Sequence, residues 1–125
     1  MAKVRQQATA PERLVCRIVR QLGYRRCLIN QYDLPGRPDV VLQVQHKIIF
    51  VHGCFWHRHR GCDRTTMPRR NRALWISKFR QTVARDRQNC LALRAKAWRV
   101  LLIWECETAD VAKLKKRLRT FLRSH

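Results

Sequence analysis

Residues 39–62 read DVVLQVQHKIIFVHGCFWHRHRGC, and the first half of this run decides the fold. Apolar and mostly β-branched residues stand on both sides of a polar break at residues 45–47, the pattern of a hairpin whose strands are largely buried. Immediately upstream, Leu34-Pro-Gly-Arg-Pro38 places two prolines around a glycine, which cannot hold regular structure and marks a loop. Further upstream, Thr9 can cap a helix. Pro11 suits its first turn, Glu12 completes a capping box, and Leu14, Val15, Ile18, Val19 and Leu22 form its apolar stripe up to a stop at Gly23. Residues 24–30 read as a short strand. Downstream, residues 71–96 read as a long helix with its basic residues on the outer face. Residues 98–104 (WRVLLIW) read as a core strand, and residues 110–122 as a last helix with Val111, Leu114, Leu118 and Phe121 on one face. The order helix, hairpin, helix, strand, helix defines an α/β class, a central mixed β-sheet flanked by helices.

A chain of 125 residues, 46% hydrophobic, suits one domain over residues 1–125, with a short arm of residues 1–8 ahead of the first helix. No run approaches the ~18 apolar residues that span a bilayer, so no membrane partner is expected. The opening MAKVRQQATAPE lacks the apolar centre of a signal peptide. The location expected is cytoplasmic, and there six cysteines serve metal ligation or burial in preference to disulfides. The 28 Lys and Arg against 8 Asp and Glu give a net charge of +20. An anionic membrane surface or simple solubility could use such a charge. Because the cations are spread through folded elements and mixed with aromatics, the pattern favours nucleic acid, where each neutralised phosphate releases condensed counterions. Against that background every carboxylate is worth inspecting.

The second half of the opening run carries the chemistry. Cys54, His59 and Cys62 have the spacing Cys-x4-His-x2-Cys, close enough for one ion, and a structural zinc normally takes four N or S ligands. Cys106, just past the expected strand 98–104, is the best fourth ligand, with Cys90 the weaker choice inside a helix. Cys16 and Cys27 read as ordinary buried thiols. Asp39, at the junction of the Pro-Gly-Arg-Pro turn and an apolar strand, is an awkward anion for folding and a useful one for holding Mg²⁺ at a phosphate. With the loop held by its Cys and His residues, His57 is left as a general base or acid. His52 lies at the end of the strand that pairs with that of Asp39. His46, at the hairpin turn, is expected to be solvated, and His125 is terminal. Phe55 and Trp56 sit in a cationic loop and Trp75 on the basic helix, where large aromatics can wedge between bases. Trp98 and Trp104 read as core.

LPGRPD, FVHGCFWH, the LW…K…RDR stretch and WRVLLIWEC, in this order and spacing, resemble the very-short-patch repair (Vsr) endonucleases over residues 9–106. The resemblance implies a restriction-endonuclease-like fold. It also implies an enzyme that nicks one strand of duplex DNA next to the thymine of a T·G mismatch left by deaminated 5-methylcytosine. It assigns Asp39 and the Val51 carbonyl to Mg²⁺, His57 to catalysis, and His52 and Glu12 to auxiliary places in the active site. Structural Zn²⁺ falls to Cys54, His59, Cys62 and Cys106, and wedging into mismatched DNA to Phe55, Trp56 and Trp75. A monomer near the bacterial nucleoid, with mismatch-repair proteins as further partners, fits the same picture. The chain departs from the usual family pattern in three respects: few residues precede Thr9, Val51 stands where Thr is common, and Thr82 replaces an Asn. In the wider nuclease group such an Asp is followed on the next strand by a Glu or Asp and a Lys, spaced one apart. Here that strand ends Val51-His52-Gly53; the second acid and the Lys are both absent, and histidine must supply that part of the chemistry. Two rivals remain: a non-catalytic, zinc-stabilised DNA-binding module, and a nuclease of the same fold that cuts undamaged duplex.

Overall fold

The structure, a computed structural model, describes residues 9–29 and 33–124. The arm of residues 1–8, Asn30 at the end of the expected first strand, and His125 lie outside the described residues. Helix α1 (Ala10–Gln21) begins as the sequence predicts. The Glu12 backbone N–H donates to Thr9 Oγ1 at 3.4 Å, and the Thr9 N–H donates to Glu12 Oε1 at 3.3 Å, so two of the orphan donors at the helix start are satisfied reciprocally.

Four strands follow around one long helix: β1 (Cys27–Ile29), β2 (Val40–Leu42), β3 (Lys47–His52), α2 (Arg72–Ala95) and β4 (Arg99–Trp104). The sheet order is β1-β2-β3-β4. The first two pairings are antiparallel and the last is parallel, so the sheet is mixed and α2 is the crossover that a parallel pair requires. A short 3-10 turn (Glu105–Ala109) leads into α3 (Val111–Arg123).

Strand alternation sorts the apolar residues onto two faces. Val40, Leu42, Ile49 and Ile103 join α1 and α3 through Val15, Val19, Leu114 and Leu118. Val41, Ile48 and Phe50 face the other way, against Cys90 and Leu93 of α2. The expected sheet between helices is therefore present, with both faces covered, which explains why β2 and β3 read as nearly continuous hydrophobic runs.

Some boundaries differ from the sequence reading. Residues 24–26 are not strand. In α3 the buried row is Leu114, Leu118 and Leu122, whereas Val111 is 49% exposed and Phe121 only packs against the core margin. A spacing of four along the helix carries the buried face to Leu122, and Asp110 is the N-cap, its Oδ1 accepting from the Lys113 N–H at 3.2 Å. Lys47 is the one strongly buried cation among the described residues. Its Nζ donates to the carbonyls of Phe121 and Leu122 at 2.8 Å each and of Ser124 at 2.5 Å. A strand lysine thus satisfies the carbonyls that the end of α3 would leave open.

Candidate active site and metal cluster

The parallel register of β3 and β4 sets up both halves of the site. His52 pairs with Trp104, so Cys54 and Cys106 each stand two residues past the last paired position of neighbouring strands. His59 and Cys62 come from the turn that follows, where the His59 N–H donates to the Cys54 carbonyl at 3.0 Å. Ligand atoms of Cys54, His59, Cys62 and Cys106 all lie within 4.8 Å of one another, and Cys106 Sγ is 3.4 Å from His59 Nδ1. Ligands of a tetrahedral zinc stand roughly 3.4–3.8 Å apart, so the donor set and its spacing fit a four-coordinate soft or borderline divalent ion. Crowding and burial push the Cys106 thiol up to about 12, the burial outweighing the Cys54 and Cys62 thiols beside it. The Cys62 thiol is instead lowered, first by a backbone hydrogen bond from Arg64 and then by hydrogen bonds from the neighbouring thiols. The thiols thus differ in how readily they ionise, and a bound cation would favour the thiolate form of each. Cys90 is buried in the α2-facing core and stands outside the cluster. Cys16 and Cys27 are free, buried thiols with their sulfurs 3.1 Å apart; burial first, then Cys16, pushes Cys27 up to about 12.

Beside the cluster lies a cleft of about 500 Å³. Glu12 reaches it from the first turn of α1, Asp39 from the loop before β2, Val51 and His52 from β3, and Phe55, Trp56 and His57 from the loop beyond. Asp39 is held by the sheet itself: its Oδ2 accepts the Val51 backbone N–H at 2.6 Å. The anion that looked awkward in sequence is therefore partnered by a backbone donor of the strand next door. Gly36, at φ +78°, brings that loop against α2. A Cβ there would sit 3.0 Å from Asn89 Cβ and 3.1 Å from Phe50 Cζ, so only glycine serves both the left-handed backbone and the close approach.

Two histidines stack in the cleft. The rings of His52 and His57 are 3.9 Å apart and 11° from parallel. Burial lowers His52 to about 4, with His57 adding to the effect and Asp86 opposing it, so His52 is neutral at physiological pH. Its Nδ1 is buried without a hydrogen-bond partner. His57 Nδ1 lies 2.6 Å from Asp86 Oδ2. Since a carboxylate only accepts, Nδ1 carries the proton and Nε2 is the nitrogen able to take another.

Asp86 escaped the sequence reading, along with Asn89 and Glu105, which also line the cleft. A signal was present for Asp86: it is the sole acidic residue in the 24 residues of α2. Two aromatic assignments change. Trp104 is more than core, because it meets His52 edge-on at 5.4 Å and stacks on His59 at 4.4 Å, joining the cleft to the metal cluster. His46 is exposed but not simply solvated: it stacks on Trp98 at 3.8 Å, and a ring nitrogen is 3.1 Å from the Lys96 carbonyl. Trp75 does not line the cleft, but it packs within 6.0 Å of Phe55 and 5.7 Å of Trp56, and Trp56 is 49% exposed. A second groove, between α1 and the β1 edge, is lined by Arg13, Arg17, Arg20 and Arg25 together with Cys16 and Ile29, with no acidic residue.

Residues 1–64 match the family described as DNA mismatch endonuclease Vsr. The Type II nicking enzyme V.XorIIP of Xanthomonas oryzae pv. oryzae is 41% identical over 122 residues, covering 98% of this chain and 88% of the relative. The Type II nicking enzyme V.NmeAIP of Neisseria meningitidis is 32% identical over 123 residues, covering 98% and 86%. The DNA mismatch endonuclease Vsr of Escherichia coli is 40% identical over 86 residues, 69% of this chain and 54% of the relative. A carboxylate and a carboxylate-held histidine at the end of a mixed sheet, together with these likenesses, make the chain a hydrolase of the DNA endonuclease class. It belongs to the Vsr family. Among the described residues, no helix is long and apolar enough to cross a membrane.

Proposed function

We propose that this protein is a single-domain, monomeric endonuclease of restriction-endonuclease-like fold that nicks one strand of duplex DNA beside the thymine of a T·G mismatch. The observation that carries the reading is the convergence in one cleft of Asp39, pinned to β3, and His57, pinned to α2. A module that only binds DNA has no need of a histidine whose tautomer is set by a carboxylate, so the non-catalytic rival is disfavoured.

In the proposed reaction the scissile phosphate lies in the cleft against Asp39. Magnesium, held by the Asp39 carboxylate and the Val51 carbonyl, would supply Lewis-acid stabilisation of charge at the phosphate. His57 takes a proton from the attacking water at Nε2 as the water oxygen bonds to phosphorus and the bond from phosphorus to one sugar oxygen breaks, that oxygen leaving with a proton from solvent. Asp86 keeps the ring oriented and stabilises the imidazolium that forms, the division of labour seen in carboxylate–histidine pairs generally. His52 stays neutral against the His57 ring, so no second positive charge opposes that protonation. Glu12 closes the cleft from the α1 side. Zinc held by Cys54, His59, Cys62 and Cys106 would fasten the loop that carries His57 to the ends of β3 and β4. Phe55, Trp56 and Trp75 would enter the base stack, where a mismatch costs less to unstack than a matched pair.

Single-turnover cleavage of two duplexes that differ only in T·G against T·A tests the proposal. Nicking of the T·G duplex on one strand, dependent on added magnesium and at least tenfold faster than on T·A, is expected. Equal rates would favour the same-fold nuclease that cuts undamaged duplex, and no cleavage under any divalent ion would favour the binding module.

A further inference from the structure

Arg58 stands between His57 and His59 with its backbone in the left-handed region, φ 55°, an uncommon conformation for a residue other than glycine. One guanidinium nitrogen donates to the Phe55 carbonyl at 3.1 Å and to the Thr66 carbonyl at 2.9 Å. The guanidinium carbon is 3.9 Å from the ring centroid of Phe79 and 5.4 Å from that of Phe55. One side chain therefore touches three segments: the loop after β3, the approach to α2, and α2 itself.

Those contacts sit at the root of an aromatic cluster drawn from two elements. Phe55 and Trp56 come from the loop, and Trp75 and Phe79 from successive turns of α2, the spacing that places two side chains on one helix face. Phe55 meets Phe79 edge-on at 5.2 Å and Trp56 at 5.3 Å, and Trp75 lies 5.5 Å from Phe79. Phe79 is 4% exposed while Trp56 is 49% exposed. The cluster thus has a buried root, with the cation over it, and an exposed tip.

We infer that Arg58 is a positioning residue that locks the loop aromatics onto α2 and so sets how strongly the protein separates mismatched from matched duplex. The inference rests on the reading of Phe55, Trp56 and Trp75 as the DNA wedge. A wedge discriminates only if it is stiff. Entering a paired stack must cost more than entering a mismatch, and a loop free to swing aside escapes that difference. A planar guanidinium suits the task because it can donate to two carbonyls in its plane while its face covers a ring; an ammonium is a point charge that cannot do both.

The test measures binding to T·G and T·A duplexes, with an aminopurine placed beside the mismatch to report unstacking. The variants are Arg58→Met, Arg58→Lys, Phe79→Leu and Trp56→Ala, with Arg60→Met, an exposed charge on the neighbouring turn, as the control. Zinc content, melting temperature and near-ultraviolet circular dichroism are read for each. Arg58→Met and Phe79→Leu should each lose roughly tenfold in T·G over T·A discrimination, the size of one well-packed cation–aromatic contact. Both should also lose aminopurine brightening and part of the aromatic dichroism, with zinc content unchanged. Arg58→Lys should recover overall affinity without recovering discrimination. Arg60→Met should weaken both duplexes alike. Wild-type discrimination in Arg58→Met and in Phe79→Leu, or an equal loss in Arg60→Met, overturns the inference. Should Arg58→Met fail to fold, Phe79→Leu and Arg58→Lys decide it. If Trp56→Ala itself discriminates like wild type, the wedge reading has failed and the role of Arg58 falls with it. If Trp56→Ala loses discrimination and the Arg58 variants keep it, only the Arg58 inference falls.

Discussion

His57 Nδ1 and Asp86 Oδ2 are 2.6 Å apart, joining a loop beyond β3 to the middle of α2. The contact is partly buried, with the two side chains 28% and 24% exposed, so water competes for it only in part. Asp86→Asn keeps the shape and removes the carboxylate, and the amide can present its N–H₂ to Nδ1 and so favour the wrong tautomer. Nicking by Asp86→Asn should fall ~10²–10⁴-fold, the usual worth of general acid–base help, with duplex binding and zinc content preserved. A rate within threefold of wild type would remove Asp86 from the proposed mechanism.

The two candidate fourth ligands separate on metal content. Cys106→Ala should lower bound zinc and melting temperature together, because structural zinc binding is folding energy. A loss of 2 kcal/mol or more would move the melting point of a domain this size by roughly 5–10 °C. Cys90→Ala should retain zinc and cost only about 1 kcal/mol for a small cavity beside Phe50 and Leu93. The reverse pattern, metal lost from Cys90→Ala and kept in Cys106→Ala, would contradict the site assignment.

Lys47 tests the fold at the far end of the same strand. Lys47→Met preserves the buried stem but removes the donor shared by three carbonyls at the end of α3. The expected cost is about 2–4 kcal/mol, from acceptors left open in a partly buried place, visible in chemical denaturation as a lower midpoint. An unchanged midpoint would mean that water replaces the ammonium at no cost.

Phosphate contacts should dominate DNA affinity, given the net charge of +20. A protein making ~6–10 such contacts loses about 10³–10⁵ in affinity between roughly 50 and 200 mM salt. Arg17 lines the cationic groove of α1, a helix whose first turn reaches the cleft. If the bound duplex extends along that groove, Arg17→Ala should weaken binding to any sequence and reduce the salt slope by about one. An unaltered slope would place the duplex on another face.

How much of this was legible in sequence depends on which physical signal each element carries. The β2–β3 hairpin was readable because both strands are buried on two faces and therefore unbroken runs of apolar residues. Cys106 was readable as a partner for Cys54 because both follow strands; the parallel register then sets them side by side. The pairing of His57 with Asp86 was not readable, because it depends on which face α2 turns to the sheet. That helix buries only Phe79, Cys90 and Leu93 and leaves Leu74, Val83 and Leu91 exposed, so its apolar spacing does not define a face. The same weakness hid Phe79 from the aromatic cluster. For α3 the pattern was present but admitted two stripes, and packing against α1 and β3 selected the one ending at Leu122. The contacts of Arg58 follow from a left-handed residue in a turn, which leaves no periodic trace.

The most direct test of the central claim, that one cleft holds both the phosphate-side carboxylate and the proton-transfer histidine, is single-turnover nicking of a T·G duplex by Asp39→Ala and His57→Ala. Zinc content and duplex affinity are checked in each. Asp39→Ala should abolish nicking while binding persists or tightens as repulsion from the phosphate is relieved, and His57→Ala should bind and keep zinc yet nick ~10²–10⁴-fold more slowly. Wild-type nicking by both variants would contradict the account, and loss of zinc from His57→Ala with zinc retained in His59→Ala would mean that the two histidines hold each other's roles.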